Sequence, residues 1–452
     1  MASSREAPER WPEPWWKLLG PRYGHVLHSL CSYMGSFPPG LPRYFIEQFT
    51  EPGDTVLDPF SGRGTTALEA CLAGRVGLGV DLNPLAALLT DVKTDPPSRE
   101  ACLQRLDVLE RTYTYAPVGD RCPPEISLLF EERTTLPQLL HLRDNLDATE
   151  RTDRFLLAAL AGILHGHHTR DVENSRCLSV SMPNTFSMAP GYLARYIARE
   201  GLRKHPFDAF HKLRARVWFE HAQGLPARRG RGLQGDARRL GAVVPPGSAR
   251  LIVTSPPYLN VVKYGKYNWI RLWLLGASVQ ALDASLDVQE TDRALGLSDK
   301  LPLRAWKTFL RDTLRACAEA LTDDGVCVVA IGDVTNAEHG DHALALELWE
   351  GVRHAVPLQL RAVITDDVHA GRKVSKIWGE ARRGRATRTD RVLVFQREGA
   401  PWRAPRHPSP EALLARLKAD NGAPLGVDGA RKALARRPRR AMCIPTATPE
   451  VG

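Results

Sequence analysis

Two short stretches of this chain carry residue types that could do chemistry. The first, Asp58-Pro59-Phe60-Ser61-Gly62-Arg63-Gly64-Thr65-Thr66-Ala67, follows an apolar run and contains a G-x-G-x-x-A pattern through Gly62, Gly64 and Ala67. Glycines there let a backbone approach a ligand closely, and a helix beginning at Thr65 offers unpaired amides to an anion. Asp81, at the end of the next apolar run, is placed to accept hydrogen bonds from ribose hydroxyls. Together they describe a nucleoside-cofactor site without saying which cofactor. The second stretch is Thr254-Ser255-Pro256-Pro257-Tyr258, again after an apolar run. Two prolines fix the turn and remove two backbone donors, leaving acceptors directed at a ligand. An amine conjugated with an aromatic ring is a poor nucleophile; the Ser255 hydroxyl and the Pro256 carbonyl would draw its lone pair out of conjugation. Tyr258 offers a ring on which a flipped-out base can stack.

These stretches need elements to hold them. Residues 55–57 read as a strand running into the glycine loop and a helix over 65–72, and residues 76–80 as a second strand ending at Asp81. Asn83-Pro84 opens the next helix. Such alternation predicts a parallel α/β sheet. It then stops from 91 to 232, where helical periodicity dominates, as at 154–164 and 206–222, and resumes with a strand at 251–254. A long amphipathic helix over 303–321, a turn at Asp324-Gly325, a strand at 326–331, a helix near 343–352 and strands at 358–364 and 391–396 complete the expected order. Residues 1–20, with Trp11, Trp15 and Trp16 among prolines and charges, read as an irregular lead segment packed onto the domain.

At 452 residues the chain has room for a catalytic domain and a unit that reads a substrate. Its 43% hydrophobic and 25% charged residues are ordinary for a globular protein. The net charge of +10 is not evenly spread: residues 361–452 hold 20 basic and 9 acidic side chains, and residues 1–360 are close to neutral. A basic excess at one end suits a polyphosphate partner. The eight cysteines form no C-x-x-C pair and no zinc spacing, so reduced, packed thiols are expected. With no leader-like N-terminal stretch and no apolar run of membrane-spanning length, a cytoplasmic location is expected.

The pair Asp58-Pro59-Phe60-x-Gly62-x-Gly64-Thr65-Thr66 and Ser255-Pro256-Pro257-Tyr258 resembles the amino-methylating (N4-cytosine/N6-adenine) DNA methyltransferase family. Phe37-Pro38-Pro39, Gly235-Asp236 and Arg391-Val392-Leu393-Val394-Phe395 match its pattern too, so the likeness spans about residues 32–397. It implies a Rossmann-like class I methyltransferase α/β sheet with a large helical insertion, S-adenosyl-L-methionine as cofactor, no metal, and double-stranded DNA as partner, with a cognate restriction endonuclease alongside. In residue terms, Phe37 would line the methionine end of the cofactor. Asp58, Pro59, Phe60, Gly62, Gly64, Thr65 and Thr66 would form the loop around its amino acid moiety, Asp81 would bind the ribose and Asp236 the adenine amine. Ser255, Pro256, Pro257 and Tyr258 would form the catalytic pocket. Serine before the two prolines accompanies N4-cytosine methylation more often than N6-adenine methylation in this family. The chain departs from the usual arrangement in placing its long insertion between Asp81 and Asp236. Target recognition is assigned to residues 99–231, assisted by a basic loop whose Lys373, Lys376, Arg382, Arg383, Arg385 and Arg388 would contact phosphates. Four segments follow: 1–90 with the cofactor half, 91–232 the insertion, 233–399 the catalytic half, and 400–452 a basic, flexible tail.

Each feature also has an ordinary structural explanation. Asp81 would serve as a helix-capping carboxylate before Asn83-Pro84, and Ser255-Pro256-Pro257-Tyr258 as a strand-ending turn. His165-x-His167-His168 suggests a metal, but no carboxylate or cysteine cluster accompanies it, and methyl transfer from a sulfonium needs none. Trp269 and Trp273 are expected in the core, and Arg436-Arg437-Pro438-Arg439-Arg440 in a solvated tail. Among competing functions, C5-cytosine methylation needs a nucleophilic cysteine, usually after a proline, and none of the eight follows one. An RNA guanine-N2 methyltransferase, a catalytically dead DNA-binding subunit and a dehydrogenase drawing on G-x-G-x-x-A stay as alternatives.

Overall fold

The computed structural model describes residues 9–10, 15–19, 23–33, 35–168, 172–173, 175–182, 188–256, 265–277, 303–336, 340–342, 344–367, 385–403, 415 and 417. Pro257, Tyr258, Lys373, Lys376, Arg382, Arg383 and most of the tail lie outside them, as do the side chains of Arg385 and Arg388.

Among the described residues nine strands form one sheet: β1 (Glu9–Arg10), β2 (Thr55–Asp58), β3 (Val76–Asp81), β4 (Arg231–Gln234), β5 (Ala249–Thr254), β6 (Leu321–Asn336), β7 (Gly340–His342), β8 (Leu358–Asp367) and β9 (Arg385–Arg397). Their order is β1-β8-β9-β6-β5-β2-β3-β4, with β7 paired antiparallel to β6. The strands from β4 across to β6 are mutually parallel, and β9 inserts antiparallel between β6 and β8. Setting aside the short β1 and β7, this is the Rossmann-like class I methyltransferase sheet, with its single reversed strand next to the last position. The central strands are buried because both faces are covered, so Val56, Leu57, Leu251, Ile252 and Val253 all lie at 0% exposure.

Twelve helices surround the sheet among the described residues: α1 (Gly40–Phe49), α2 (Thr65–Leu72), α3 (Pro84–Thr94), α4 (Arg99–Arg111), α5 (Pro124–Ser127), α6 (Thr135–Asn145), α7 (Arg151–Ile163), α8 (Pro190–Glu200), α9 (Ala209–Glu220), α10 (Trp269–Leu274), α11 (Leu303–Ala320) and α12 (Leu344–Val352). The regular elements described between β3 and β4 are all helices, joined by turns and irregular chain, and their core is continuous with Leu68 of α2, Leu85 and Leu89 of α3 and the apolar residues of α10. The opposite face of the sheet carries α11 and α12, and α1 packs with Trp16 over the β2–β5–β6–β9 centre. Cys31, Cys71, Cys102, Cys122, Cys177, Cys317 and Cys327 are all buried free thiols.

Several expectations need correction. The lead segment is not wholly irregular, since Glu9 and Arg10 pair parallel with Ala362 and Val363 of β8. Trp16 is buried, and its indole N–H donates to Asp366 at 2.7 Å. The turn expected at Asp324-Gly325 lies within β6, where the pairing with β5 jumps from Leu321 opposite Ala249 to Val326 opposite Leu251. Helix α1 was not anticipated, and β4 begins two residues earlier than the segment boundary drawn at 232.

Beneath α1 and α2 lies a buried ionic network. Glu69 of α2, 1% exposed, has His28 Nε2 at 2.7 Å, accepts from the Tyr23 hydroxyl at 3.4 Å and has Arg43 Nη1 at 3.7 Å. Arg43 in turn donates to Glu47 at 2.8 Å, and Arg75 lies 3.7 Å from Glu47 while donating to the Thr50 carbonyl. Burial pushes the His28 imidazole down to about 4, so it is neutral in the folded protein at ordinary pH. Removing one member of a buried charged network leaves its partners uncompensated. Glu69→Ala is therefore expected to cost about 3 kcal/mol in urea unfolding, and Glu69→Gln, which keeps an acceptor, clearly less. Equal costs for the two would show that the acceptor kept by glutamine contributes nothing and that the charge accounts for the loss.

Candidate active site

Asp58, the glycine loop, Asp81, Asp236 and Ser255 gather at one end of the sheet because β2, β3, β4 and β5 are parallel and all finish there. Open α/β sheets bind ligands beyond the carboxyl ends of their strands, where the strand order reverses. Here the order reverses between β2 and β5. Asp58 closes β2 and Thr254 closes β5, and the Thr254 hydroxyl donates to Asp58 Oδ1 at 2.7 Å. The Thr66 hydroxyl donates to the Val253 carbonyl at 3.2 Å. The glycine loop and the start of the Ser-Pro-Pro stretch are thus fastened together across the reversal.

Within the loop, Ser61 N–H donates to the Val80 carbonyl at 3.0 Å and Gly64 N–H to the Ser61 carbonyl at 2.7 Å. Gly64 stands at φ +78° as the residue before α2, and a Cβ there would lie 2.8 Å from the Thr90 Cα on α3. Only glycine permits both the left-handed turn and that approach. Gly62, at φ +50°, has open room by comparison, its nearest neighbour being the Tyr33 ring at 3.6 Å from a Cβ. Pro59 is buried, and Phe60 is half-buried with its ring 5.7 Å from that of Phe309 on α11. Thr65 is buried, and its hydroxyl accepts from Arg63 Nε at 3.3 Å.

Asp81, half-buried, accepts from Gly62 N–H at 2.9 Å and from Asn83 N–H at 2.9 Å. Asn83, not Asp81, caps α3, accepting from Leu85 N–H at 3.0 Å, so the capping explanation of Asp81 does not hold. Each Asp81 oxygen uses one lone pair on the backbone and has another to offer a hydroxyl. Burial pushes Asp81 up to about 6, opposed by the Asn83 and Gly62 amides, and burial likewise pushes Asp58 up to about 6, with Asp81 adding repulsion. Gly235 N–H donates to the Asp81 carbonyl at 3.0 Å, which brings the Gly235-Asp236 pair beside the end of β3. The Asp236 carboxylate, however, is held by Arg238 through Nε at 3.1 Å and Nη2 at 2.8 Å, so an adenine amine would have to share it. Ser255 is half-buried and Pro256 buried, and Phe37 packs half-buried against the α1 core ahead of that helix.

Two contributors escaped the sequence reading. Tyr33 covers Gly62, and its hydroxyl accepts from Asn83 Nδ2 at 3.1 Å. Lys93, 0% exposed, donates from Nζ to the Arg63 carbonyl at 2.8 Å inside the glycine loop, and burial pushes its ammonium down to about 7. Lys93 had a legible signal, since it falls on the Leu85–Leu89 side of α3 at i+4 spacing, where a lysine must bury its head. Tyr33 had none, lying far upstream in irregular chain. In the histidine cluster, His168 Nε2 lies 2.8 Å from the Ser179 carbonyl and its ring packs on Phe207, and no three metal-ligating side chains converge among the described residues. Trp269 and Trp273 are core residues, as expected.

Residues 3–89 match the family model described as "DNA methylase", of the N6/N4 methyltransferase kind. The chain is 38% identical over 72 residues to the type II methyltransferase M.MjaII of Methanocaldococcus jannaschii, covering 16% of this chain and 13% of that one. It is 47% identical over 53 residues to the type II methyltransferase M.XycI of Xanthomonas campestris pv. cyanopsidis, covering 12% and 18%. The matched stretches therefore span less than a fifth of either relative. Among solved structures, TrmN from Thermus thermophilus superposes with a TM-score of 0.30 at 13% identity, over 80% of this chain and 50% of that one. The strand order and the loop that joins Gly62 and Asp81 are those expected from the resemblance to the amino-methylating DNA methyltransferase family, and residues 3–89 are similar to that family's model.

Proposed function

We propose that the chain transfers a methyl group from S-adenosyl-L-methionine to the exocyclic N4 amine of cytosine in duplex DNA, as the modifying partner of a restriction endonuclease in the cytoplasm. The observation that carries this reading is the Thr254–Asp58 hydrogen bond, which sets the start of the Ser-Pro-Pro stretch against the cofactor loop at the reversal of strand order. The donor set fits the cofactor: Asp58 and Asp81 would hold the positively charged amino acid portion and the ribose, and the amides at the start of α2 its carboxylate. When bound, it supplies a methyl group on a sulfonium, a leaving arrangement that needs no metal.

The protein's own part is positioning and desolvation. A flipped cytosine stacks on Tyr258, and its N4 hydrogens meet the Ser255 hydroxyl and the Pro256 carbonyl, which localises the nitrogen lone pair. The bound cofactor would give up its sulfonium methyl to that nitrogen, and the surplus proton of the amine would leave toward those acceptors and on to solvent. N6 of adenine presents the same chemistry and is the second reading; an RNA guanine N2 amine is the third. No helix among the described residues is long and apolar enough to cross a membrane.

Mass spectrometry of nucleosides from plasmid DNA incubated with the protein and isotopically labelled cofactor tests this. Labelled N4-methylcytosine is the expected product. Labelled N6-methyladenine would keep the mechanism and change the base, and label found in RNA alone would overturn the DNA reading.

Cofactor affinity is also expected to depend on pH. Asp58 and Asp81 are raised to about 6, so below that pH both are largely protonated and lose their attraction for a cation and half their acceptor capacity. Affinity should therefore rise as pH rises through about 6 and level off near 7, by up to about tenfold per pH unit for each carboxylate required charged. Calorimetric titration of cofactor from pH 5 to 8 checks this, and a flat profile would remove both carboxylates from the binding site.

A further inference from the structure

Helix α8 is anchored beside the catalytic end and presents an aromatic and basic face outward. Only Leu193 of its residues is buried. Tyr192, Arg195, Tyr196 and Arg199 stand at i, i+3, i+4 and i+7, so they share one face. The two tyrosine rings stack, 6.1 Å apart and 16° from parallel, and Arg199 lies over Tyr196 at 5.3 Å from the ring centroid. Tyr192 is 42% exposed, one of the few large apolar side chains so placed among the described residues. Tyr196 is half-buried against the edge of the insertion's core and leaves Tyr192 outward, and arginines interleaved with rings suit a surface that is both anionic and aromatic.

The charge is local. Residues 190–204 hold four basic side chains and one acidic, in a chain whose first 360 residues are close to neutral. The helix is also tied to the reaction end of the sheet. The carbonyl of Met188, just before α8, accepts from the indole N–H of Trp269 at 2.9 Å. Trp269 opens α10, the helix that follows the Ser-Pro-Pro-Tyr stretch.

We propose that this face of α8 is a docking surface for duplex DNA, with Arg195 and Arg199 meeting phosphates and Tyr192 and Tyr196 lying against sugars or exposed base faces. The proposal rests on the methyltransferase reading and assigns part of target binding to four named side chains of the insertion. Neutralising a phosphate releases a counterion, so each arginine that does so should contribute about 0.9 to the slope of log affinity against log salt.

The test measures binding of the full-length protein to a fluorescently labelled duplex by anisotropy across a salt series, with cofactor binding followed by calorimetry. Arg195→Ala with Arg199→Ala is expected to weaken duplex binding at least tenfold at low salt and to lower the slope by about 2. Arg195→Lys with Arg199→Lys should retain the slope. Tyr192→Ala with Tyr196→Ala should weaken binding severalfold with the slope unchanged, and cofactor affinity should stay the same in every variant. Wild-type binding that the variants reproduce in affinity and slope overturns the proposal while leaving the enzyme reading intact. A wild type that binds no duplex overturns both. Variants that turn a dimer into a monomer in sedimentation, with duplex affinity unchanged, give the face to a second copy of the chain and overturn the proposal as well.

Discussion

Replacing Asp81 with alanine is expected to lower affinity for S-adenosyl-L-methionine by on the order of 10²–10³-fold, with little further loss in turnover at saturating cofactor. The carboxylate supplies two charged acceptors for hydroxyls, and hydrogen bonds to a charged group contribute about 1.5–3 kcal/mol each. It also holds the glycine loop through Gly62 N–H and the start of α3 through Asn83 N–H, so both would loosen together. Asp81→Asn keeps one acceptor oxygen and should lose less. Ser255→Ala should behave in the opposite way, lowering turnover by on the order of 10²-fold with cofactor affinity nearly unchanged, because in the proposed reaction its hydroxyl would meet the amine rather than the cofactor. Calorimetric affinities set beside single-turnover rates would separate the two. The division of roles fails if Ser255→Ala loses the cofactor or Asp81→Ala keeps it.

Gly64→Ala is expected to produce the largest loss of stability of any methyl addition in the loop, about 3 kcal/mol or more. Two costs combine. A left-handed backbone costs an L-residue about 1–2 kcal/mol, and overpacking adds about 1–3 kcal/mol. At φ +78° the new methyl would lie 2.8 Å from the Thr90 Cα, a backbone atom that a rotamer change cannot move. Gly62→Ala is the internal control: its φ is +50°, but its nearest contact would be the Tyr33 ring at 3.6 Å, so only the first cost applies. Urea midpoints of the two variants should differ clearly, and Thr90→Ala should not rescue Gly64→Ala. Equal midpoints would mean that α3 yields easily and that the close approach of loop and helix is unimportant.

What the sequence revealed and concealed follows from how each element is held. β2, β3 and β5 announce themselves through runs such as Val56-Leu57 and Leu251-Ile252-Val253, because strands buried on both faces must be apolar throughout. The glycine loop was legible because its turn demands residues that few other structures need. β4 was not, since Arg231-Gly232-Leu233-Gln234 has one apolar side chain. It is specified instead by contact, for a Cβ on Gly232 would come within 2.2 Å of the Ala87 carbonyl on α3. β1 consists of two charged residues and exists only as an addition to the edge of β8. At the site, Asp58, Gly62, Gly64 and Asp81 were read correctly as neighbours. The Asp236–Arg238 pairing was missed because a carboxylate's partner two residues away depends on side-chain direction, which spacing does not report. Tyr33 and Lys93 reach the loop only through the tertiary fold.

The continuity of the insertion's core with α2, α3 and α10 limits how the insertion can be exchanged in this chain. A recognition unit joined by linkers can be exchanged as a cassette. Here a cut at residues 91 and 232 would bare Leu85, Leu88, Leu89 and Trp269 and strip the apolar cover from the helix that follows the glycine loop. A productive chimera would have to carry α3 and α10 across with the insertion, so that exchanging the insertion also means rebuilding the helices packed against the glycine loop.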